Sequence, residues 1–157
     1  IDRSLVGSEM CIRDSWSGDG KTMFFIDSAT REVHAFDFDG DSGTISNRRT
    51  VVSVPDGWGY PDGMTIDTED KLWVAHWNGD CVAQYDPETG ESLTSVELPT
   101  PRVTSCWFGG DDLKTLYITT AVGSQDGGWT DLKKYPQTGA VFSAKVGAEG
   151  RRATLFG

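Results

Sequence analysis

One carboxylate in this sequence is placed as a functional group would be. Asp62 stands in Tyr60-Pro61-Asp62-Gly63-Met64. A carboxylate is a hard oxygen ligand for a divalent cation, and it is also a common general base for activating water. Pro61 fixes its own φ and stiffens the approach, while Gly63 lets backbone pass close. Pro-Asp-Gly is equally an ordinary turn sequence, so the spacing alone leaves both readings open. The other chemistry-bearing residues are sparse. His34 and His76 are the 2 histidines, and neither lies in an HxxxH or HExxH spacing. Cys11, Cys81 and Cys106 form no CxxC and cannot all pair, so they define neither a disulfide framework nor a redox compartment. The run from Asp37 to Gly43 resembles a calcium loop, but Ser42 stands where an EF-hand needs Gly and Arg48 where it needs Glu. It reads as a polar hairpin turn. No GxSxG, P-loop or GxGxxG is present.

The elements that must position Asp62 are strands. Met23 to Asp27 and Val33 to Asp37 form one alternating pair, Leu72 to His76 and Cys81 to Asp86 a second, and Leu116 to Thr120 and Ala140 to Lys145 a third. Asp-Gly, Asn-Gly and Thr-Gly steps between them are hairpin chemistry. No segment carries a helical period. Lys21, Lys71 and Lys114 each precede an aromatic strand and mark a repeat of about 40–50 residues, the period of propeller blades. A β-sandwich is the competing architecture, and the long period favours the propeller. Nine positions before these lysines stand Ile12, Asp62 and Ser105, and of the three only Asp62 can ligate a hard cation. Phe24, Phe25, Trp73, Trp107 and Tyr117 read as sheet-packing residues.

Lys and Arg number 14 against 24 Asp and Glu, a net charge of −10. That argues against a phosphate-binding nucleic-acid partner, and no apolar run is long enough to cross a membrane. The balance suits a soluble, cytoplasmic setting, but no residue assigns a compartment. Residues 1–15 have neither a signal-peptide core nor a strand or helix period. Glu9 to Ser15 resembles the in-frame translation of a sequencing-library adapter, so 1–15 is set apart as a non-native tail. The 142 residues that follow make about three blades. A closed propeller needs 4–8, so the repeat is expected to be part of a longer domain.

The ordered series Trp16-Ser17, Ile26-Asp27-Ser28, Ala35-Phe36-Asp37, Ile45-Ser46-Asn47-Arg48-Arg49, Pro61-Asp62-Gly63-Met64 and Leu72-Trp73-Val74-Ala75 resembles the gluconolactonase/regucalcin (senescence marker protein) family. Arg102-Val103-Thr104-Ser105-Cys106, Phe108-Gly109-Gly110 and Leu116-Tyr117-Ile118-Thr119 continue it. The resemblance implies an all-β, six-bladed β-propeller of which residues 16–157 are the C-terminal half. It implies one divalent metal ion, calcium or zinc among the candidates, and a small sugar lactone as substrate. The metal would polarise the lactone carbonyl while a carboxylate activates water. Asp62 matches the family's Pro-Asp-Gly aspartate, both metal ligand and general base. The family's asparagine ligand falls at position 12, which is Ile12 here, and Asn47 and Asn78 match no ligand position. The expectation is a lactonase fragment, inactive as written because most metal ligands are missing. The alternative is a non-catalytic calcium- or ligand-binding propeller.

Overall fold

Eleven strands account for the regular structure of the described residues, 14–123 and 131–152, in a computed structural model. They are β1 (Asp14–Trp16), β2 (Thr22–Asp27), β3 (Glu32–Asp39), β4 (Thr44–Ser53), β5 (Tyr60–Ile66), β6 (Leu72–Trp77), β7 (Cys81–Tyr85), β8 (Ser92–Glu97), β9 (Val103–Gly109), β10 (Thr115–Thr120) and β11 (Val141–Lys145). Three antiparallel sheets follow in chain order: β1-β2-β3-β4, β5-β6-β7-β8 and β9-β10-β11. Each strand pairs with the next, so every sheet is a meander. Among the described residues there is no helix, as the absence of a helical period predicts.

The six strands expected from alternation are present, with ends within two residues of those read from the sequence. Asp14 and Ser15, the last residues of the segment set apart above, pair with Phe25 and Phe24 in the first sheet. The rest of that segment, with Ile12 and Cys11, lies outside the described residues.

The aspartates before the repeat lysines explain the repeat. Asp19, Asp67 and Asp112 each accept the backbone N–H of Lys21, Lys71 and Lys114 through Oδ1, at 3.0, 2.9 and 3.1 Å. A short acceptor side chain closing its own turn is the reason Asp recurs there.

The core is two layers divided by the second sheet. Leu72 and Val74 of β6 join Phe24, Ile26, Val33, Val52 and Met64 on one side. Trp73 and Ala75 join Val103, Cys106, Phe108, Leu116 and Ile118 on the other. Successive β6 residues thus enter opposite cores, and the strand reads as a continuous apolar run for that reason. Not all the sheet aromatics are core. Phe24 and Trp73 are buried, but Trp107 and Tyr117 are 53% and 45% exposed. These two are direct cross-strand partners on the face of the third sheet turned away from the second.

Asp39 caps the turn that resembled a calcium loop, accepting from the Asp41 and Ser42 backbones and the Ser42 hydroxyl. It is a hairpin turn, as expected.

Candidate active-site strand around Asp62

Asp62 lies in β5, the first strand of the central sheet, and β5 contacts both β1 and β9, the first strands of its neighbours. Pro61 pairs with His76 and Met64 with Val74, so Asp62 and Gly63 together oppose Ala75 alone. This is a β-bulge. A bulge breaks the strict alternation of side chains and re-aims one of them out of the pleat. Pro61 and Gly63 flank Asp62, and both residue types suit a bulge because neither demands a regular ladder position.

Three contacts fix this bulge. The Ser28 hydroxyl, in the β2–β3 turn of the first sheet, donates to the Pro61 carbonyl at 2.6 Å. On the other side Gly63 lies against β9. A Cβ added there would stand 2.5 Å from Ser105 Oγ and 2.8 Å from the Thr104 carbonyl oxygen. Behind it, Met64 is buried in the first core layer. Asp62 itself is half-buried, and it is not without a partner.

The structure places Ser105, the equivalent repeat position in the third sheet, against Gly63 of the bulge. Sequence reasoning missed Ser28, because the contact joins residues 33 apart in different sheets and leaves no local signal.

His76 is fully buried. Its Nδ1 donates to the Trp58 carbonyl at 2.8 Å, and its Nε2 lies 3.1 Å from the Tyr85 hydroxyl. Burial holds its pKa below the ordinary histidine value and so favours the neutral ring, opposed in part by the Trp58 bond. His34 is the parallel case in the first sheet. Its Nε2 accepts from Arg48 at 2.7 Å, and burial and then the Arg48 charge depress its pKa. Both histidines are satisfied core groups, in line with their lack of metal spacing.

The implied divalent ion needs several converging donors. Among the described residues no group of three or more His, Cys, Asp or Glu side chains could hold one. Asp62 supplies one carboxylate, so the described residues do not by themselves make a metal centre.

The family described as SMP-30/Gluconolactonase/LRE-like region matches residues 14–122, more than half of the chain. The chain belongs to this family. Regucalcin of Xenopus laevis is 44% identical over 142 residues, which cover 90% of the chain and 47% of that protein. Among solved structures, a calcium-binding protein named regucalcin from Agrobacterium tumefaciens superposes with a TM-score of 0.78 at 25% identity, covering 89% of the chain and 47% of its own. A gluconolactonase from Xanthomonas campestris gives a TM-score of 0.57 at 29% identity, over 68% and 33%. The chain thus spans less than half the length of each.

Cys81 and Cys106, the free cysteines among the described residues, are both buried. Burial pushes the thiols up to about 11 and about 12, so neither is a nucleophile at neutral pH. No helix among the described residues is long and apolar enough to cross a membrane.

Proposed function

We propose that this chain is part of a lactonase of the gluconolactonase type, which opens the ring of a small sugar lactone by hydrolysis. Its three sheets are about three blades, the C-terminal half, of a six-bladed β-propeller. Asp62 accepts the proton of the attacking water as general base, and the water oxygen adds to the ring carbonyl. The carbonyl–ring-oxygen bond then breaks, and the ring oxygen takes the proton from Asp62 and leaves as a hydroxyl of the open acid. Asp62 is also one ligand of a divalent ion, calcium or zinc, whose other ligands come from outside the described residues.

The observation that carries this reading is the bulge. It sets half-buried Asp62 in an irregular pairing near the start of a first strand, which contacts the first strands of two other sheets. Membership of the family, and the likeness to a gluconolactonase, support the substrate class.

The test is hydrolysis of D-glucono-1,5-lactone with added calcium, zinc or manganese. It compares the 157-residue chain with the longer reading frame recovered from the source DNA. The longer protein should turn over, and Asp62→Asn should lower its kcat by at least a hundredfold, the scale of a lost general base. The 157-residue chain alone should be inactive. Full activity of Asp62→Asn would overturn the assignment. Metal binding by the longer protein without hydrolysis would favour the non-catalytic binding propeller.

A further inference from the structure

Two large aromatic side chains lie exposed on the approach to Asp62. Trp58 and Tyr60 are 42% and 41% exposed, four and two residues before it. At about 3.3 Å per residue, the Tyr60 Cα stands roughly 7 Å from that of Asp62. An exposed aromatic on a loose loop needs no explanation. These two are not loose.

Their segment is interlocked with the turn after β6. Gly59 has φ +76°, and a Cβ there would run into the Trp77 carbonyl and the Asn78–Gly79 backbone. A Cβ on Gly79 would run into the Trp58 carbonyl and His76 Cβ. The Trp58 carbonyl is also the acceptor for buried His76, whose ring meets the Trp58 ring edge to face at 6.1 Å. Tyr60 is held from the first sheet, with the Arg31 guanidinium 4.5 Å above its ring and ion-paired to Asp56. Backbone, histidine and arginine therefore fix both rings while a large part of each still faces water. Such rings lose little entropy when a ligand stacks on them.

We infer that Trp58 and Tyr60 are the ring-binding rim of the Asp62 site, taking the C–H face of a saturated sugar ring. This rests on the lactonase reading and names what holds its substrate. The rim binds but makes no bond to the reacting atoms. Its loss should therefore appear in KM and Kd and leave kcat in place.

The probe is D-glucono-1,5-lactam, a ring isostere that does not hydrolyse, titrated into the 157-residue chain by saturation-transfer NMR. Trp58→Ala and Tyr60→Ala should each weaken binding roughly three- to tenfold, the scale of a lost aromatic contact. Trp58→Phe should retain most of it. Trp107→Ala, which removes an exposed aromatic on the far face of the third sheet, should not change it. Thermal melts establish that each variant is folded. The inference is overturned if the lactam does not bind saturably, if the rim variants bind as the parent does, or if Trp107→Ala weakens binding equally. The longer reading frame separates the two readings. Trp58-dependent lactam binding without lactone turnover would fail the lactonase reading alone. Asp62-dependent turnover with an unchanged KM in Trp58→Ala would fail the rim alone.

Discussion

The Ser28 hydroxyl hydrogen-bonds the Pro61 carbonyl across two sheets, at 2.6 Å. The residue that follows Pro61 is Asp62, so the turn of one sheet sets the backbone that carries the carboxylate of the next. Ser28→Ala should cost about 1 kcal/mol, the net worth of one such bond. Its larger effect should be on catalysis in the longer reading frame, where kcat should fall more than stability predicts. Ser28→Thr keeps the donor and should restore much of it. Denaturant melts and lactone kinetics on the same variants check both parts.

Gly63→Ala should be worse. The new methyl group would meet Ser105 Oγ at 2.5 Å and the Thr104 carbonyl at 2.8 Å, and a carbonyl in a paired strand does not yield cheaply. Overpacking of this kind costs about 1–3 kcal/mol. Adding Ser105→Gly removes the side-chain clash but not the carbonyl one. The double variant should therefore recover part of the melting temperature and not all of it. Full recovery would mean that the close approach of the two backbones is unimportant.

Acid should destabilise the fold before the carboxylates titrate. His76 and His34 both have folded pKa values below their unfolded value of about 6.5. Below pH 6.5 the unfolded chain then binds more protons than the native one. Stability is full above that pH and is lost as pH falls toward the folded values. The melting temperature should drop between pH 7 and pH 5. His76→Gln can keep a donor to the Trp58 carbonyl, so it should fold less stably yet show a shallower drop. An equal drop would show that His76 is not a source of the pH dependence.

In a Cys11→Ser background, iodoacetamide should label Cys81 and Cys106 only as the chain opens. Both thiols are buried, and Cys106 Sγ also donates to the Trp73 carbonyl at 3.3 Å. Labelling at pH 8 should be slow in buffer and fast in denaturant. Fast labelling of Cys106 in buffer would mean that the second core layer opens locally.

The middle strands were legible because they are short apolar or alternating runs bounded by Asp- and Gly-rich turns. β2, β3, β6, β7 and β10 all read this way. The first strand of the central sheet did not. Pro61 and Gly63 lie inside β5, and both are residues that ordinarily argue against a strand interior. The local pattern thus reads as a turn at the place where the strand is bulged. β4 was equally hidden, since most of its residues are exposed and polar, and no apolar period survives. Asp62 stands out as a candidate from its motif and repeat position. The contacts on its flanking residues do not, because Ser28 bonds Pro61 and β9 packs on Gly63 from other sheets. Nothing local in the sequence marks Trp58 and Tyr60 either. Their rigidity comes from Arg31, His76 and the Trp77–Gly79 turn, and none of these is a sequence neighbour.

The central sheet is covered on both faces, and β6 lends alternate residues to each core layer. Amide protons along Val74 and Ala75 can reach solvent only when both layers part together. Those of β11, paired among the described residues to β10 alone, need only local fraying. Hydrogen exchange should therefore rank the molecule from its middle outward. Asp62, Gly63 and Ala75 share a pairing in that middle sheet. The carboxylate is thus mounted on the part of the chain that opens last.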